Sequence, residues 1–302
     1  MTLWQLFIDN LLPVFLAAGA GYILAARFGI DPRPVAHVGF YIFAPCLVYQ
    51  ILIQSDASSI DVLRMVGFTL ASLIGIALIA GLIARWWGLG RPLSAAMILV
   101  VLLPNAGNYG LAATLFAFGE KGLAHAALFF LASAIVSYSL GVLVASSGRA
   151  GLIAAAASLP KVPAIWAAVL ALIVRASGSS LPLPMARTVE MLSEACIPTF
   201  LIVLGLQLRA LDRRGPWGPV AVAVGLRLVG GLLVGALLAP LFGLEGVAQQ
   251  AGTLQSAMPS AVITIILATE YDVQPSFVTS VVFLSTLLSP LTLTPLLFWL
   301  AG

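Results

Sequence analysis

Two short stretches of this sequence place proline, glycine and polar side chains inside otherwise apolar segments. The first, at 103–110, reads LPNAGNYG, and the second, at 256–260, reads SAMPS. Proline removes a backbone N–H donor and clashes with the preceding helical turn, and nearby glycines weaken a helix further. The sequence therefore predicts that a helix is interrupted at each stretch.

The chemistry expected at such interruptions is the binding of an anion. An interrupted helix presents a half-helix N-terminus, whose N–H groups lack acceptors and whose dipole end is positive. Asn105 and Asn108 are costly at membrane depth unless they meet a partner or a wet cavity. Two such ends that meet at mid-membrane suit a carboxylate. The alternative is a pair of proline kinks at which the asparagines tie neighbouring helices together.

A candidate binding site follows from these stretches and from the segments expected beside them. Its predicted residues are Pro104, Asn105, Gly107, Asn108, Met258, Pro259 and Ser260 at the interruptions, Ser137 on a neighbouring helix, and Pro45 and Cys46 on the opposite wall. The two cysteines have no partner at the spacing of a metal site. We expect neither a metal nor a cofactor.

Three charged residues are candidates for moving a proton or balancing charge. Glu194 is expected either to carry a coupling proton inside its helix bundle or to be solvated near the outer end of its helix. Arg227 is expected either to balance substrate charge or to pair with the backbone or an acidic residue. Glu120, beside Lys121, forms either a solvated turn or a proton-linked polar site.

The composition indicates which solvent these segments need. Of the 302 residues, 61% are hydrophobic and 8% are charged, whereas ordinary globular domains carry about 25% charged residues. So few polar side chains cannot cover a surface in water, and a lipid bilayer is the alternative solvent. The basic residues stand singly between apolar runs, which is typical of loops beside membrane helices and not of a nucleic-acid-binding protein.

Ten segments are long and apolar enough to span a bilayer, which takes roughly 20 residues per helix. In chain order, helices 1–10 are predicted at 5–26, 34–53, 62–85, 92–118, 122–146, 162–178, 184–208, 216–242, 246–270 and 276–300. We therefore predict an all-α membrane protein with ten transmembrane helices.

The basic residues also predict the orientation of these helices. With the N-terminus outside, the inside loops hold nine of them: Arg27, Arg33, Arg85, Arg91, Arg149, Lys161, Arg209, Arg213 and Arg214. The outside loops hold four: Arg64, Lys121, Arg175 and Arg187. Because an excess of positive charge marks the cytoplasmic side, both termini are expected to be non-cytoplasmic.

The order of the prolines indicates an internal repeat. With offsets of 150, 153 and 155 residues, the pairs that coincide are Pro13 with Pro163, Pro45 with Pro198, and Pro104 with Pro259. Five helices per half is an odd number, so the two copies enter the membrane from opposite sides, as in alternating-access carriers. The predicted units are residues 1–146, a short cytoplasmic linker at 147–161, and residues 162–302.

At these residues the chain resembles the auxin efflux carrier family, which includes the plant PIN carriers and bacterial permeases. Leu103-Pro104-Asn105 is similar to that family's helix 4 crossover, where the asparagine contacts substrate, and Met258-Pro259 is similar to its helix 9 crossover. Further similarities in the same order are Phe118-Gly119-Glu120, Leu192-Ser193-Glu194-Ala195, Leu204-Gly205-Leu206, Arg227 and Ala268-Thr269-Glu270-Tyr271-Asp272-Val273-Gln274-Pro275.

The resemblance implies the fold shared with bile-acid symporters and sodium/proton antiporters, in which two inverted five-helix repeats cross at broken helices 4 and 9. Helices 1, 2, 6 and 7 would form a scaffold, often a homodimer, and helices 3–5 and 8–10 a moving transport unit. Family substrates are organic anions: indole-3-acetate in plants, and malate or malonate in bacteria. The short linker suggests a bacterial-type protein of the inner membrane. Val162 and Ser133 replace an asparagine and a glutamine of other members, which argues against auxin as the native substrate.

These observations predict a secondary carrier of small organic anions with an elevator mechanism, and not an enzyme. No Gly-x-x-x-x-Gly-Lys-Ser/Thr motif is present, so a gradient is expected to drive transport. One alternative is a sodium-coupled symporter of the bile-acid type, or an antiporter, with sodium ligands from Asn105, Asn108, Ser256 and Ser260. A non-transporting membrane sensor is another. An intramembrane protease is disfavoured because both histidines lie at span ends.

Overall fold

The computed structural model of the chain describes residues 2–54, 59–146, 160, 162–209 and 216–301. Regular structure in these ranges is helical, apart from one isolated bridge between Pro104 and Ser260. Seven helices in the described ranges are long and apolar enough to cross a membrane. The prediction of an all-α membrane protein is confirmed. The count of ten spans, the inverted repeat and the domain boundaries stay predictions, and the linker at 147–161 lies outside the described residues except for Pro160.

Helical segments occur at the positions predicted for helices 1–10, and that numbering is kept here. Helices 1, 2, 3, 6, 7, 8 and 10 span Leu3–Phe28, Pro32–Gln54, Ser59–Trp86, Pro163–Ala176, Leu183–Arg209, Trp217–Leu241 and Pro275–Ala301. Helix 4 starts as Arg91–Leu102 (helix 4a) and resumes in Ala106–Ala145, which Gly119 divides into helix 4b and helix 5. Helix 9 comprises Gly246–Ser256 (helix 9a) and Ile263–Glu270 (helix 9b).

The turn between helices 1 and 2 shows how the local sequence ends one helix and starts the next. Helix 1 ends at Phe28, and its C-cap Gly29 has a φ of 64°, a left-handed conformation that costs glycine little. Asp31 then caps helix 2 by accepting a hydrogen bond from the Arg33 backbone N–H at 3.0 Å. Pro32 follows at the first helical position, where its missing N–H is not needed.

The packing of the helices places the interruptions of helices 4 and 9 in the interior. Helix 1 packs against helix 7, and helix 2 packs against helices 6 and 7. Helix 3 packs against helices 4a and 8, while helix 9a packs against helix 8 and the segment Ala106–Val136. Helices 1 and 7 touch through their backbones, because a Cβ added at Gly205 would overlap the main chain of Ala18.

Candidate functional site

The two interrupted helices are joined to each other where each of them lacks regular structure. The backbone N–H of Asn105 donates to the carbonyl oxygen of Pro259 at 2.7 Å, and the N–H of Ala261 donates to that of Leu103 at 2.8 Å. Pro104 and Ser260 form the antiparallel bridge between these bonds. In a bilayer every buried backbone group needs an internal partner. Each interruption therefore supplies the partners that the other one needs.

The local sequence explains where both helices stop. Leu103 has the extended angles φ −106° and ψ 101°, as expected for a residue that precedes a proline. Helix 9a ends at Ser256, with Ala257 as its cap, two residues before Pro259. The predicted interruptions are therefore present at both proline sites.

A cavity of about 310 Å³ lies beside the crossover. The first residues of both resumed helices line it, namely Ala106 to Asn108 on helix 4b and Ala261 to Ile263 before and at the start of helix 9b. Its other aromatic or polar lining residues are His37, Phe40, Tyr41, Phe130, Ser133, Ser137, Tyr138, Phe200, Gln207 and Glu270. None of the described lining residues is a lysine or an arginine.

Asn105 and Asn108 both face this cavity but differ in their hydrogen bonds. The side chain of Asn105 is only 4% exposed, and its Nδ2 is buried without a hydrogen-bond partner. Asn108 Nδ2 donates to Oε1 of Gln207 at 3.4 Å, which links helix 4b to helix 7. A buried amide N–H without an acceptor is costly. Asn105 is thus a cavity-lining residue whose amide N–H donor is unused.

The predicted site residues fall into three groups in the structure. Those that line the cavity are Pro104, Asn105, Gly107, Asn108 and Ser137. Met258, Pro259 and Ser260 are buried within the crossover, and the next three residues of helix 9 line the cavity instead. Pro45 and Cys46 are half-buried further along helix 2, whose cavity-lining residues lie between Ala36 and Tyr41. Ligand contact by any of these residues stays a prediction.

Sequence reasoning did not select several residues that line the cavity, among them Tyr41, Gln207 and Glu270. Glu270 lies in the helix 9 exit segment that carries part of the family resemblance, which was an available signal. For Gln207 no local signal existed, since its partner Asn108 is 99 residues away.

Arg227 lies on the other side of the crossover, within helix 8, and is 1% exposed. Its guanidinium donates from one terminal nitrogen to the Val101 carbonyl and from the other to the Ser256 carbonyl. Both acceptors lie in the last turns of half-helices, 4a and 9a respectively. Of the two roles expected for Arg227, the structure shows pairing with the backbone.

A second cavity, of about 670 Å³, lies at the opposite end of helix 2, where Ile51 and Gln54 line it. Its charged and titratable lining residues are Asp61, Arg64, Glu120, Lys121, His125 and Glu245. Glu120 and Lys121 are exposed there, next to the interruption at Gly119. Glu194 lies apart from both cavities and is exposed at the end of the helical segment Leu183–Glu194.

Metal binding has no visible support in the part of the chain that the structure describes. No three His, Cys, Asp or Glu side chains in these ranges are placed to hold an ion together. Cys46 and Cys196 are free thiols.

Comparison with known proteins shows which family this sequence resembles. Residues 149–299 match the family model described as membrane transport protein. An uncharacterized transporter of Methanothermobacter thermautotrophicus is 28% identical over 296 residues, which cover 94% of this chain and 95% of that protein. An uncharacterized transporter of Methanocaldococcus jannaschii is 26% identical over 302 residues, which cover 94% of this chain and 96% of that protein.

The family match covers half of the chain and the two relatives cover nearly all of it, and both point to transport. The apolar helices place such a protein in a membrane. The predicted resemblance is confirmed: the chain belongs to the membrane transport protein family, that of the auxin efflux carriers, and is an integral membrane transporter.

Proposed function

We propose that the chain is a gradient-driven carrier of small organic anions that binds a carboxylate in the crossover cavity. The observation that carries this proposal is that Asn105 lines the cavity and that its buried Nδ2 is a hydrogen-bond donor without a partner. A carboxylate oxygen is the strong acceptor that such a donor lacks.

The electrostatics of the cavity support an anion. Helix 4b and helix 9b both begin at its wall, and the first N–H groups of a helix have no intrahelical acceptors. Each N-terminus carries roughly half a positive charge. Since no described lining residue is a lysine or an arginine, the positive field comes from the backbone. Glu270, the acidic residue among the described lining residues, would repel a carboxylate beside it, so we place the carboxylate near Asn105.

The size of the cavity supports a small substrate. Ligand pockets span about 300–1,000 Å³, and this one, at about 310 Å³, lies at the lower end of that range. Malate, malonate and indole-3-acetate are the carboxylates that we propose to test first.

The positions of the two cavities support alternating access. The crossover cavity lies near the start of helix 2 and the end of helix 7, at the face whose basic loops predict the cytoplasm. The second cavity lies at the other end of helix 2, from Gln54 onward. In this proposal the structure is an inward-facing state, and both termini are non-cytoplasmic. An elevator movement of helices 3–5 and 8–10 then carries the site from one face of a bacterial-type inner membrane to the other.

The test is uptake of these three labelled acids into proteoliposomes, with Asn105→Asp beside the wild type. Aspartate keeps the shape of the side chain but replaces the N–H donor with an acceptor that repels a carboxylate. We expect uptake efficiency (kcat/KM) to fall by roughly 10- to 100-fold, since a hydrogen bond to a charged group is lost.

A matched control is Asn10→Asp in helix 1. Asn10 is also buried, but its Nδ2 donates to the Leu6 carbonyl at 3.0 Å and lies outside the cavity. If no acid is taken up, or if the Asn105 variant transports as well as the wild type, the proposed carboxylate site is wrong.

A further inference from the structure

The crossover brings together four half-helix ends, and the two N-terminal ends have different surroundings from the two C-terminal ends. The N-terminal ends of helices 4b and 9b open on the cavity. The C-terminal ends of helices 4a and 9a meet on the far side, where the Val101 and Ser256 carbonyls both accept hydrogen bonds from Arg227. Only the positive ends are therefore left for a ligand.

The charges at the far side balance. Each helix C-terminus carries roughly half a negative charge, so two of them amount to about one unit. The guanidinium supplies one positive charge, and both bonds recorded for it go to these carbonyls. Its Nε has no hydrogen-bond partner. Among the described residues, the hydrogen-bond acceptors of Arg227 are thus main-chain carbonyls and not acidic side chains.

The backbone around Arg227 is shaped for this contact. Helix 8 widens into a π-helical turn at Leu226–Gly230, which moves the arginine out of regular register. Gly231 follows, and a Cβ added there would overlap both the guanidinium and the Ser256 carbonyl. Helix 8 can therefore approach helix 9a only because this position has no side chain.

In broken-helix carriers, half-helix C-terminal ends and unwound carbonyls are the groups that coordinate a coupling sodium ion. Here Arg227 already occupies such groups. The serine hydroxyls considered as sodium ligands both donate to backbone carbonyls, Ser256 Oγ to that of Gly252 at 3.0 Å and Ser260 Oγ to that of Val100 at 2.8 Å.

We propose that Arg227 is a positioning residue that acts as a fixed cation, holding the crossover together in place of a coupling cation, so that transport requires no sodium. This inference rests on the proposed function for its transport readout. It predicts that a neutral residue at 227 creates a requirement for an external cation that fits the vacated space.

The experiment compares wild type, Arg227→Lys and Arg227→Ala in proteoliposomes with sodium or choline media, with the exposed Arg85→Ala as the matched control. We expect equal wild-type rates in both media and a loss of roughly tenfold or more for Arg227→Ala, because two buried carbonyls lose their donors. Lysine, which keeps the charge, should retain part of the rate without sodium. Millimolar guanidinium should restore part of the alanine variant's rate, whereas urea, its neutral analogue, should not.

Several results would overturn this proposal. They are a sodium requirement in the wild type, equal rates for the lysine and alanine variants, and no difference between guanidinium and urea.

If the wild type transports none of the acids, the proposed function fails separately, and the unfolding temperature in detergent tests whether Arg227 acts as a fixed cation. Guanidinium should then raise the unfolding temperature of Arg227→Ala more than urea does and leave the wild type unchanged. Without that difference Arg227 is not a replaceable cation.

Discussion

At the residue scale, two buried asparagines show how the same side chain serves different purposes. Asn10 satisfies its amide locally, by donating to the Leu6 carbonyl one turn earlier. Asn105 is as deeply buried, yet its amide nitrogen has no partner. An unsatisfied buried donor lowers stability by about 1–3 kcal/mol. A cost of this size at a cavity wall is expected where a ligand supplies the missing acceptor.

Gln207 offers a second test at this scale. Its Oε1 accepts from Asn108 Nδ2 at 3.4 Å, which fixes the direction of that amide at the cavity. Replacing Gln207 by leucine removes the acceptor and keeps most of the volume. We expect the KM for uptake to rise about fivefold, the effect of losing one hydrogen bond worth about 1 kcal/mol, with kcat little changed.

The matched control is Gln249→Leu, because Gln249 is half-buried in helix 9a and lies outside both cavities. An unchanged KM in the Gln207 variant would show that the contact with Asn108 does not orient the site.

At the element scale, most prolines inside these helices do not interrupt them. Pro240 lies within helix 8, and Pro290 and Pro295 lie within helix 10, which runs unbroken to Ala301. At Pro45 the helix continues after a π-helical turn at Gly39–Phe43, which accommodates the missing donor. The two interruptions occur where a second broken helix can supply the backbone partners.

The turn between helices 4b and 5 depends on one glycine. Gly119 has φ 64° and ψ −164°, a combination that is essentially open to glycine alone. We expect Gly119→Ala to lower the free energy of unfolding by about 1–3 kcal/mol, measured as a lower unfolding temperature in detergent. Gly29→Ala is the control, since φ 64° and ψ 29° form an ordinary left-handed conformation whose cost for alanine is smaller. Equal losses in both variants would contradict the prediction.

The contact between helices 1 and 7 makes a further prediction. A Cβ at Gly205 would overlap the backbone of Ala18, whereas one at Gly19 would meet open space. Gly205→Ala should therefore lower the free energy of unfolding by about 1–3 kcal/mol through overpacking. Gly19→Ala should raise it by up to about 1 kcal/mol, because alanine favours helix more than glycine. Denaturant unfolding of both variants in detergent checks the sign, and a stable Gly205 variant would show that the helices can separate.

At the scale of the whole molecule, the two cavities lie at opposite ends of helix 2. From His37 in the first to Gln54 in the second is 17 residues, or about 25 Å at 1.5 Å per residue. The hydrocarbon core of a bilayer is about 30 Å thick. A ligand that crosses this distance needs a movement that opens each end in turn.

An elevator movement changes the contact between helix 4b and helix 7. A protein with Asn108→Cys and Gln207→Cys, in a background with Cys46→Ser and Cys196→Ala, can be joined by a short bis-thiol reagent. We expect the cross-linked protein to lose uptake, because helix 4b is then held in the state in which these residues meet. The untreated double-cysteine protein, which already lacks the Asn108–Gln207 hydrogen bond, gives the reference rate, and each single-cysteine protein treated with the same reagent is the control. Full uptake after complete cross-linking would show that helices 4b and 7 do not separate during transport.

Much of the fold was accessible from the sequence, and less of the site. Hydropathy predicts where helical segments lie, and the proline stretches predict both interruptions, since each is a local property of the chain. Asn105 and Asn108, which were predicted as site residues, line the cavity, and their contact with a ligand stays a prediction. Helix 9 lines the cavity with Ala261–Ile263, a few residues after the predicted Pro259. Pairing across the crossover, and not local propensity, sets where helix 9b resumes.

The sequence by itself determined that this protein is a helical membrane protein with two broken helices, because the solvation of side chains and the geometry of proline act within one segment. Only the tertiary structure decided which distant groups meet. Arg227 reaches Val101 across 126 residues, and Asn108 reaches Gln207 across 99. Such contacts depend on how whole helices pack, which places Arg227 behind the crossover and brings Asn105, with its unpaired amide, to the cavity wall.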